Sequence, residues 1–579
     1  MAAEHATEPA AGAVPASLAR QVDAWLAIDP DPDTRGELER LVATHPERVA
    51  ALFDSRVAFG TAGLRAAMGP GPTQMNRVVV AQATAGVMRW LPAGARVVIG
   101  FDARHNSAVF ARDVATVVAA AGGTAELLPR PLPTPVLARA VLTRHADAGV
   151  MITASHNPAA DNGYKLYLAD GIQLVSPADS EIAALIDQVA AKGADLLGAG
   201  APSPTRGAPV EPSGGAGPMV ALGDEVAADH VAAATAACLT GERQVRVLYS
   251  AMHGVAGRHL LAAFGAAGFP TPDVVPEQFE PDPNFPTVAF PNPEEAGALD
   301  LAFARAAATG PDVILANDPD GDRLAVAVPD RSSRRWVRLT GDQVGALLAD
   351  HVMTHTSGPD RLVASSLVSS RLISALAEAE GVADVRTLTG FKWVARPIVE
   401  RPERRYLLGY EEALGYCVGD RVRDKDGISA ALVMAELVAE VLARGETLWD
   451  RLDRLAARLG VYLTGPVTLT FDGDEGLSRR SSAMAAAAAD PPTELVGVAV
   501  IEVEDLSLGE RLPPTPGVVW HLADRSRVIV RPSGTEPKLK AYVEVIEPVS
   551  EADGGVPTAT AAAEERLARL QEAVHARLT

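Results

Sequence analysis

Down most of this chain, short apolar runs of strand length alternate with stretches of helical period, and this alternation limits the available folds more than any other feature. Arg96 to Phe101 reads as a buried strand, Ala108 to Ala121 as a helix, and Ala148 to Thr153 as another strand. The pattern returns with strands at Val245 to Ser250 and Asp312 to Ala316, then at Arg361 to Ser365 and Arg405 to Leu408. Strands separated by helices build largely parallel sheets. At 579 residues the chain is longer than one hydrophobic core supports. The expected architecture is therefore α/β, with three consecutive α/β domains of mixed, largely parallel sheets and a smaller, strand-rich α+β domain from Val461 onward, closing on a helix from Ala561 to Leu578.

The boundaries expected are a disordered lead at 1–17, then units at 18–210, 211–332, 333–460 and 461–579. Gly198 to Pro218, dense in Gly, Pro, Ala and Ser, reads as the linker after the first unit. Leu18 to Phe53 carries apolar residues at helical spacing and predicts two helices bracing that unit. Gly427 to Leu442 and Leu448 to Leu459 read as amphipathic helices, while Ser478 to Pro492 is Ala-rich without a strong period.

A formal charge of −21 repels nucleic acid and anionic lipid, so neither is an expected partner, and any anionic ligand needs a local convergence of cations. Cys238 and Cys417 stand far apart and give neither a disulfide framework nor a metal-binding pair, which fits a reducing cytoplasm. The lead lacks the basic start and apolar centre of a signal peptide, and no apolar run has a bilayer's length.

Four segments carry chemistry, each at an expected strand end. Thr153-Ala154-Ser155-His156-Asn157-Pro158 exposes a hydroxyl where open α/β sheets bind ligands, and Lys165 follows as a point charge for phosphate. The bland alternative is a polar turn satisfying its own backbone. Asp318-Pro319-Asp320-Gly321-Asp322-Arg323 sets three carboxylates at alternate positions, which calls for a hard dication such as Mg²⁺. An EF-hand loop is excluded, because its sixth and twelfth positions would be Arg323 and Pro329. A phosphatase with an aspartyl nucleophile, or an acidic surface turn, stays open. Glu411 and Glu412, between Gly409 and Gly415, can accept hydrogen bonds from sugar hydroxyls or can simply begin a solvated helix. Arg531-Pro532-Ser533-Gly534-Thr535-Glu536-Pro537-Lys538 combines backbone N–H groups, hydroxyls and cations as a phosphate cradle does, although a hairpin turn would also explain its Pro and Gly. Two shorter segments, Phe59 to Arg65 and Thr389-Gly390-Phe391-Lys392-Trp393, offer Arg65 near the serine and Lys392 for proton transfer.

Taken together and in this order, the motifs resemble the α-D-phosphohexomutase superfamily, the phosphoglucomutases and phosphomannomutases, from Phe59 to Tyr542. The segments FGTAGLR, GFKW, GYEEALGYCVGD and DKDGISAA look like the branch that contains phosphoglucomutase-2, phosphopentomutases and glucose-1,6-bisphosphate synthase. The resemblance implies four domains around a central cleft and a mutase that passes phosphate through Ser155 and a sugar 1,6-bisphosphate. It implies that Asp318, Asp320 and Asp322 hold Mg²⁺ together with the phosphate on Ser155. It also assigns Glu411 and Glu412 to the sugar, and Arg531, Ser533, Gly534 and Thr535 to the phosphate that is not reacting. Lys165 and Lys392 are the candidate acid and base, with Arg65 and His156 beside the serine and Arg323, Gly390 and Lys538 toward the substrate. Keeping water from a phosphoserine favours a last domain that closes over the ligand, hinged near Val461. The expected substrate pair is glucose 1-phosphate and glucose 6-phosphate, with mannose and pentose phosphates also open. The competing readings are a sugar bisphosphate synthase, a metal-dependent phosphatase and a non-catalytic phosphosugar sensor.

Overall fold

The computed structural model describes residues 14–58, 63–193, 195–197, 217–471, 476–533 and 538–579. Most of the expected lead and linker, part of the Phe59–Arg65 segment, and Gly534 and Thr535 lie outside the described residues.

Four sheets follow one another along the chain. The first contains β1 (Leu64–Ala67), β2 (Arg96–Phe101), β3 (Thr124–Leu127), β4 (Ala148–Ile152), β5 (Asp161–Leu168) and β6 (Met219–Ala221), in the order β1-β5-β4-β2-β3-β6. Its centre is parallel, and the β4–β5 and β5–β1 pairs are antiparallel. The second contains β7 (Val247–Ser250), β8 (Asp273–Val274), β9 (Val313–Ala316), β10 (Ala325–Pro329) and β11 (Trp336–Arg338), in the order β11-β10-β9-β7-β8. The third is β13-β12-β14-β15, from β12 (Arg361–Ser366), β13 (Ala383–Thr387), β14 (Arg405–Glu411) and β15 (Gly415–Val418). The last is antiparallel throughout, in the order β16-β21-β20-β19-β18-β17, from β16 (Val461–Thr470), β17 (Glu494–Leu495), β18 (Val498–Asp505), β19 (Val518–Leu522), β20 (Arg527–Pro532) and β21 (Lys538–Glu547). The architecture is α/β in three units with a fourth, antiparallel one.

Strands β4 and β9 are buried at every residue, as central strands covered on both faces must be. The residues just past their carboxyl ends are Thr153 to Ser155 and Asn317 to Asp318, so the two most unusual motifs begin where the apolar runs stop. The other two begin within the last residues of β14 and β20, at Gly409 and Arg531.

Several expectations are corrected. Leu18 to Phe53 lies in three helices, Ala16–Ile28, Pro32–Thr44 and Pro46–Phe53, because Pro46 starts a new helix directly after His45. Their Val22, Trp25, Leu38 and Val49 share one apolar cluster with the first sheet. β6 pairs parallel with β3, so the first sheet continues beyond the expected 210/211 boundary, and a division after Ala221 keeps it whole. The helix Gly427–Ala443 is not amphipathic. It is buried from Gly427 through Val441 and joins the cores of the second and third units into a single cluster. The Ala-rich stretch forms a helix, Gly476–Ala489.

Candidate active site

The serine sits in a turn that only a firm surround would hold. Its φ is +52°, in the left-handed region that L-residues seldom occupy, and Thr153 Oγ1 accepts its backbone N–H at 2.9 Å. Arg104 supplies most of the surround. Its guanidinium donates to the carbonyls of Ser155 and Asn157, both at 2.6 Å, and of Pro158 at 2.7 Å, fixing the loop from beneath. Arg65, on β1, donates to Asn157 Oδ1 at 2.8 Å.

Ser155 Oγ then points at the aspartates. It donates to Asp318 Oδ2 at 3.0 Å and lies 3.1 Å from His156 Nδ1. Burial, with Arg323 and Arg65 nearby, pushes the His156 imidazole well below its usual range, so it is neutral beside the serine. The acidic loop is bent at Gly321, whose φ of +72° suits glycine. Thr134, at the start of the helix Thr134–Thr143, donates its hydroxyl to Asp320 Oδ2 at 2.7 Å and its N–H to the Asp320 carbonyl at 2.9 Å.

All three aspartates are completely buried, and one oxygen from each falls within 4.8 Å of the others. Lys165 donates to Asp320 Oδ2 at 2.7 Å and Asp322 Oδ2 at 3.0 Å, and Lys425 also reaches Asp322 Oδ2. Burial alone would lower the Lys165 ammonium, but Asp320 and Asp322 outweigh it and drive it up. Burial, then Asp322 and Asp320, lift Asp318 well above the usual carboxylate range. Asp320 Oδ1 and Asp322 Oδ1 are buried with no hydrogen-bond partner. Buried carboxylate oxygens left unpaired in this way fit a hard dication, which takes oxygen ligands from closely set carboxylates.

Arg323 ties this loop to the sugar-loop candidate by donating to the Ala413 carbonyl at 3.0 Å and pairing with Glu294 at 3.6 Å. Beside it, Glu411 Oε1 accepts the N–H of Gly390 at 2.6 Å. Glu412 Oε2 accepts from Ser366 and Ser369, both at 3.3 Å. Burial first, and then Glu411 and Asp342, push the Glu412 carboxyl up to about 7. Lys392 follows Gly390 and is buried, and that burial lowers its ammonium.

On the fourth unit, the Arg531 charge is near enough to act on Glu411. Ser533 donates its N–H to the Lys538 carbonyl at 2.8 Å, closing the base of the hairpin, and Arg480 on the Ala-rich helix donates to the Ser533 carbonyl at 2.7 Å. Sequence reasoning missed Arg104, Thr134, Lys425 and Arg480. Lys425 had a signal, because it stands inside the DKDGISAA segment; Thr134 lies in a run with proline at every second position from Pro129 to Pro135 and Arg480 in the Ala-rich stretch, neither of which points to a ligand, and Arg104 lies outside the motifs.

A hydroxyl, acidic ligands and cations gathered from separate units at strand ends meet the needs of phosphoryl transfer, and that class of enzyme is where the fold and the site place the chain. Comparison with known proteins narrows the class. The chain matches phosphoglucomutase/phosphomannomutase alpha/beta/alpha domain I at residues 56–192, domain II at 228–331, domain III at 340–459 and the C-terminal domain at 483–553. It is 43% identical over 477 residues to the "Probable phosphomannomutase" of Haemophilus influenzae, covering 81% of this chain and 93% of that one. It is 33% identical over 577 residues to the phosphopentomutase of Homo sapiens, covering 93% of each. A crystal structure of a phosphoglucomutase/phosphomannomutase family protein from Burkholderia thailandensis shares the fold with a TM-score of 0.66 at 20% identity, over 90% of this chain and 98% of that one. The chain belongs to the phosphoglucomutase/phosphomannomutase family, and it is a phosphosugar mutase.

Proposed function

We propose that the enzyme interconverts a sugar 1-phosphate and the 6-phosphate of the same sugar, glucose first, by carrying the phosphoryl group on Ser155. The observation behind this reading is the 3.0 Å approach of Ser155 Oγ to Asp318, in front of the unpaired oxygens of Asp320 and Asp322. In the first transfer the bond between phosphorus and Ser155 Oγ breaks while one forms to a sugar hydroxyl oxygen, whose proton leaves to a base. The resulting sugar 1,6-bisphosphate turns over. Its other phosphorus–oxygen bond then breaks, the leaving oxygen takes a proton, and Ser155 is phosphorylated again.

Mg²⁺ is the proposed cation; Asp318, Asp320 and Asp322 would hold it, and when bound it supplies neutralising charge for the transferring group. Lys165 and Lys425, paired with the aspartates, hold positive charge at the same place. Of the two candidate lysines, Lys392 suits the proton transfer better, since burial lowers its ammonium while Lys165 stays charged. Glu411 and Glu412 accept from sugar hydroxyls, Gly390 steadies Glu411, and Arg65 and Arg323 offset phosphate charge. Arg531, Ser533, Gly534, Thr535 and Lys538 take the distal phosphate, as the resemblance implies. The relatives named for mannose and pentose phosphates keep those sugars in the test. No helix among the described residues is long and apolar enough to cross a membrane, and the two separate free cysteines support a reducing cytoplasm.

Intact mass spectrometry of the purified protein will show a phosphate that is absent from Ser155→Ala, and that variant will lose mutase activity by at least about a thousandfold. Full activity in Ser155→Ala would refute the relay. Phosphorus NMR of the turnover mixture separates isomerisation from net bisphosphate synthesis or phosphate release. Comparison of kcat/KM for the 1-phosphates of glucose, mannose and ribose assigns the sugar.

A further inference from the structure

Away from the aspartates, the helix Gly341–Thr354 and the helix Gly427–Ala443 face each other, with His351 and the C-cap residue His355 on one side and Glu436 and Glu440 on the other. Both pairs have i, i+4 spacing, which sets two side chains on one helix face. His351 lies ten residues along its helix from Gly341, the end packed against Glu412, or roughly 15 Å of helical rise.

Glu436 settles the tautomer of His351. It is fully buried and accepts N–H groups from Leu239 at 2.8 Å and Thr240 at 2.7 Å, and the guanidinium of Arg243 at 2.9 Å. A carboxylate held so firmly accepts, and His351 Nε2 lies 3.0 Å from it, so the ring proton belongs on Nε2. The lone pair is then on Nδ1. That atom is buried, has no hydrogen-bond partner, and is 3.3 Å from Glu440 Oε2, itself only an acceptor. His355 Nε2 lies 2.9 Å from the same oxygen. Arg444 takes the other oxygen, Glu440 Oε1, and so turns Oε2 toward the rings.

Two acceptors in van der Waals contact inside a protein need something positive between them. We propose that His351 Nδ1, His355 Nε2 and Glu440 Oε2 bind a transition-metal dication of the zinc class, with Glu436 orienting His351 as a carboxylate orients a metal-bound imidazole. Zinc–ligand bonds of about 2.0–2.1 Å in a tetrahedron imply ligand-to-ligand edges of about 3.3 Å, which the 3.3 Å between His351 Nδ1 and Glu440 Oε2 matches and which the 2.9 Å from His355 Nε2 reaches when that exposed ring moves outward. His355 is 25% exposed, which leaves an entry path and a position for a water ligand. The ion would fasten the end of the Gly341–Thr354 helix to the helix that unites the second and third cores. Its role would be structural, separate from phosphoryl transfer.

The test uses chelator-treated full-length protein in excess Mg²⁺, titrated with Co²⁺. A single equivalent will bind with the strong visible absorption of a four-coordinate site, be displaced by Zn²⁺, and survive in Asp322→Asn, which disables the aspartate site. The signal will disappear in His355→Ala and in Glu440→Gln, with mutase activity reporting that His355→Ala is folded. Zn²⁺ will raise the Tm of the parent and of Asp322→Asn, but not of His355→Ala. Lack of saturable Co²⁺ uptake by the parent would overturn the proposal and leave a proton on His351 Nδ1 as the bridge. Uptake undiminished in His355→Ala would overturn it equally.

Discussion

At the scale of single residues, the acidic loop works through a balance of charge. Two ammonium groups share Asp322 Oδ2, so removing one exposes more of that carboxylate to a cation. Lys425→Met should therefore lower the Mg²⁺ concentration needed for half-maximal activity, while the loss of fixed positive charge beside the transferring group lowers kcat by about 10–100-fold. A magnesium titration of the initial rate reads both effects. Glu412 poses a pH question. Its folded-state carboxyl, at about 7, lies above the ordinary 4.5, so the folded state binds the proton more tightly. The resulting stability is complete below about 4.5 and is lost as pH rises through 7, where burying the ionised form becomes a cost. Glu412→Gln should consequently be more stable than the parent at pH 8, by about 1–3 kcal/mol, and match it near pH 4 in urea denaturation. It should also raise KM for the sugar phosphate, because the amide keeps one acceptor oxygen where the carboxylate has two and puts a donor in place of the other.

At the scale of elements, the candidate catalytic loops were legible because each interrupts an apolar run with residues that a buried strand does not tolerate. Asp318 to Arg323 after β9 is the clearest instance. The partners of those loops were not legible, because they arrive from far along the chain. Arg104 stands 51 residues before Ser155, and Lys425 stands 103 residues after Asp322, so no local pattern links them. The Gly427–Ala443 helix misled for a related reason. Its period is helical, but a helix covered by two units at once has no polar face to keep. Its first residue meets the acidic loop directly: a Cβ at Gly427 would lie 2.2 Å from the Arg323 carbonyl oxygen and 2.5 Å from Asn317 Nδ2. Asn317 Nδ2 already donates to that carbonyl at 2.6 Å, so the junction has little slack. Gly427→Ala should cost about 1–3 kcal/mol by overpacking and lower kcat by displacing Arg323 from Ala413, measured by thermal unfolding and steady-state kinetics. A normal kcat with unchanged stability would show that the helix start can retreat without moving the loop.

At the scale of the whole molecule, the fourth unit is attached through a seam that is more polar than the junction between the second and third. Its apolar contacts are a small cluster of Leu367, Val368 and Leu388 with Leu506, Val519 and Ile529, and the packing of Ala456 against the fourth unit's own core. Glu544 supplies much of the rest: across the seam it accepts from Ser370 Oγ at 2.9 Å, from the Arg371 N–H at 2.6 Å and from Arg371 Nε at 2.7 Å, while Arg527 on its own sheet donates to it at 2.8 Å. Beside this seam lies a cavity of about 520 Å³, lined by Asp342 and Thr464 among others, so the two bodies are not packed closely everywhere. The segment Ser366 to Arg371 connects the seam to the candidate sugar loop, since Ser366 and Ser369 hold Glu412 while Ser370 and Arg371 hold Glu544. Burial would raise Glu544, but Arg527 and Arg371 outweigh it and bring the carboxyl down to about 2. A lowered folded value means the contribution is present above the ordinary 4.5 and disappears as pH falls toward 2, so acid should release the fourth unit before it unfolds the other three. Glu544→Gln leaves two guanidinium groups short of their anion, a change that costs about 3–5 kcal/mol where such a cluster is buried. Calorimetry of this variant at neutral pH should resolve an early transition for the fourth unit, and KM for the sugar phosphate should rise because the Ser366–Arg371 segment no longer holds Glu412 in place. A single cooperative transition with unchanged KM would mean that the apolar cluster alone carries the attachment.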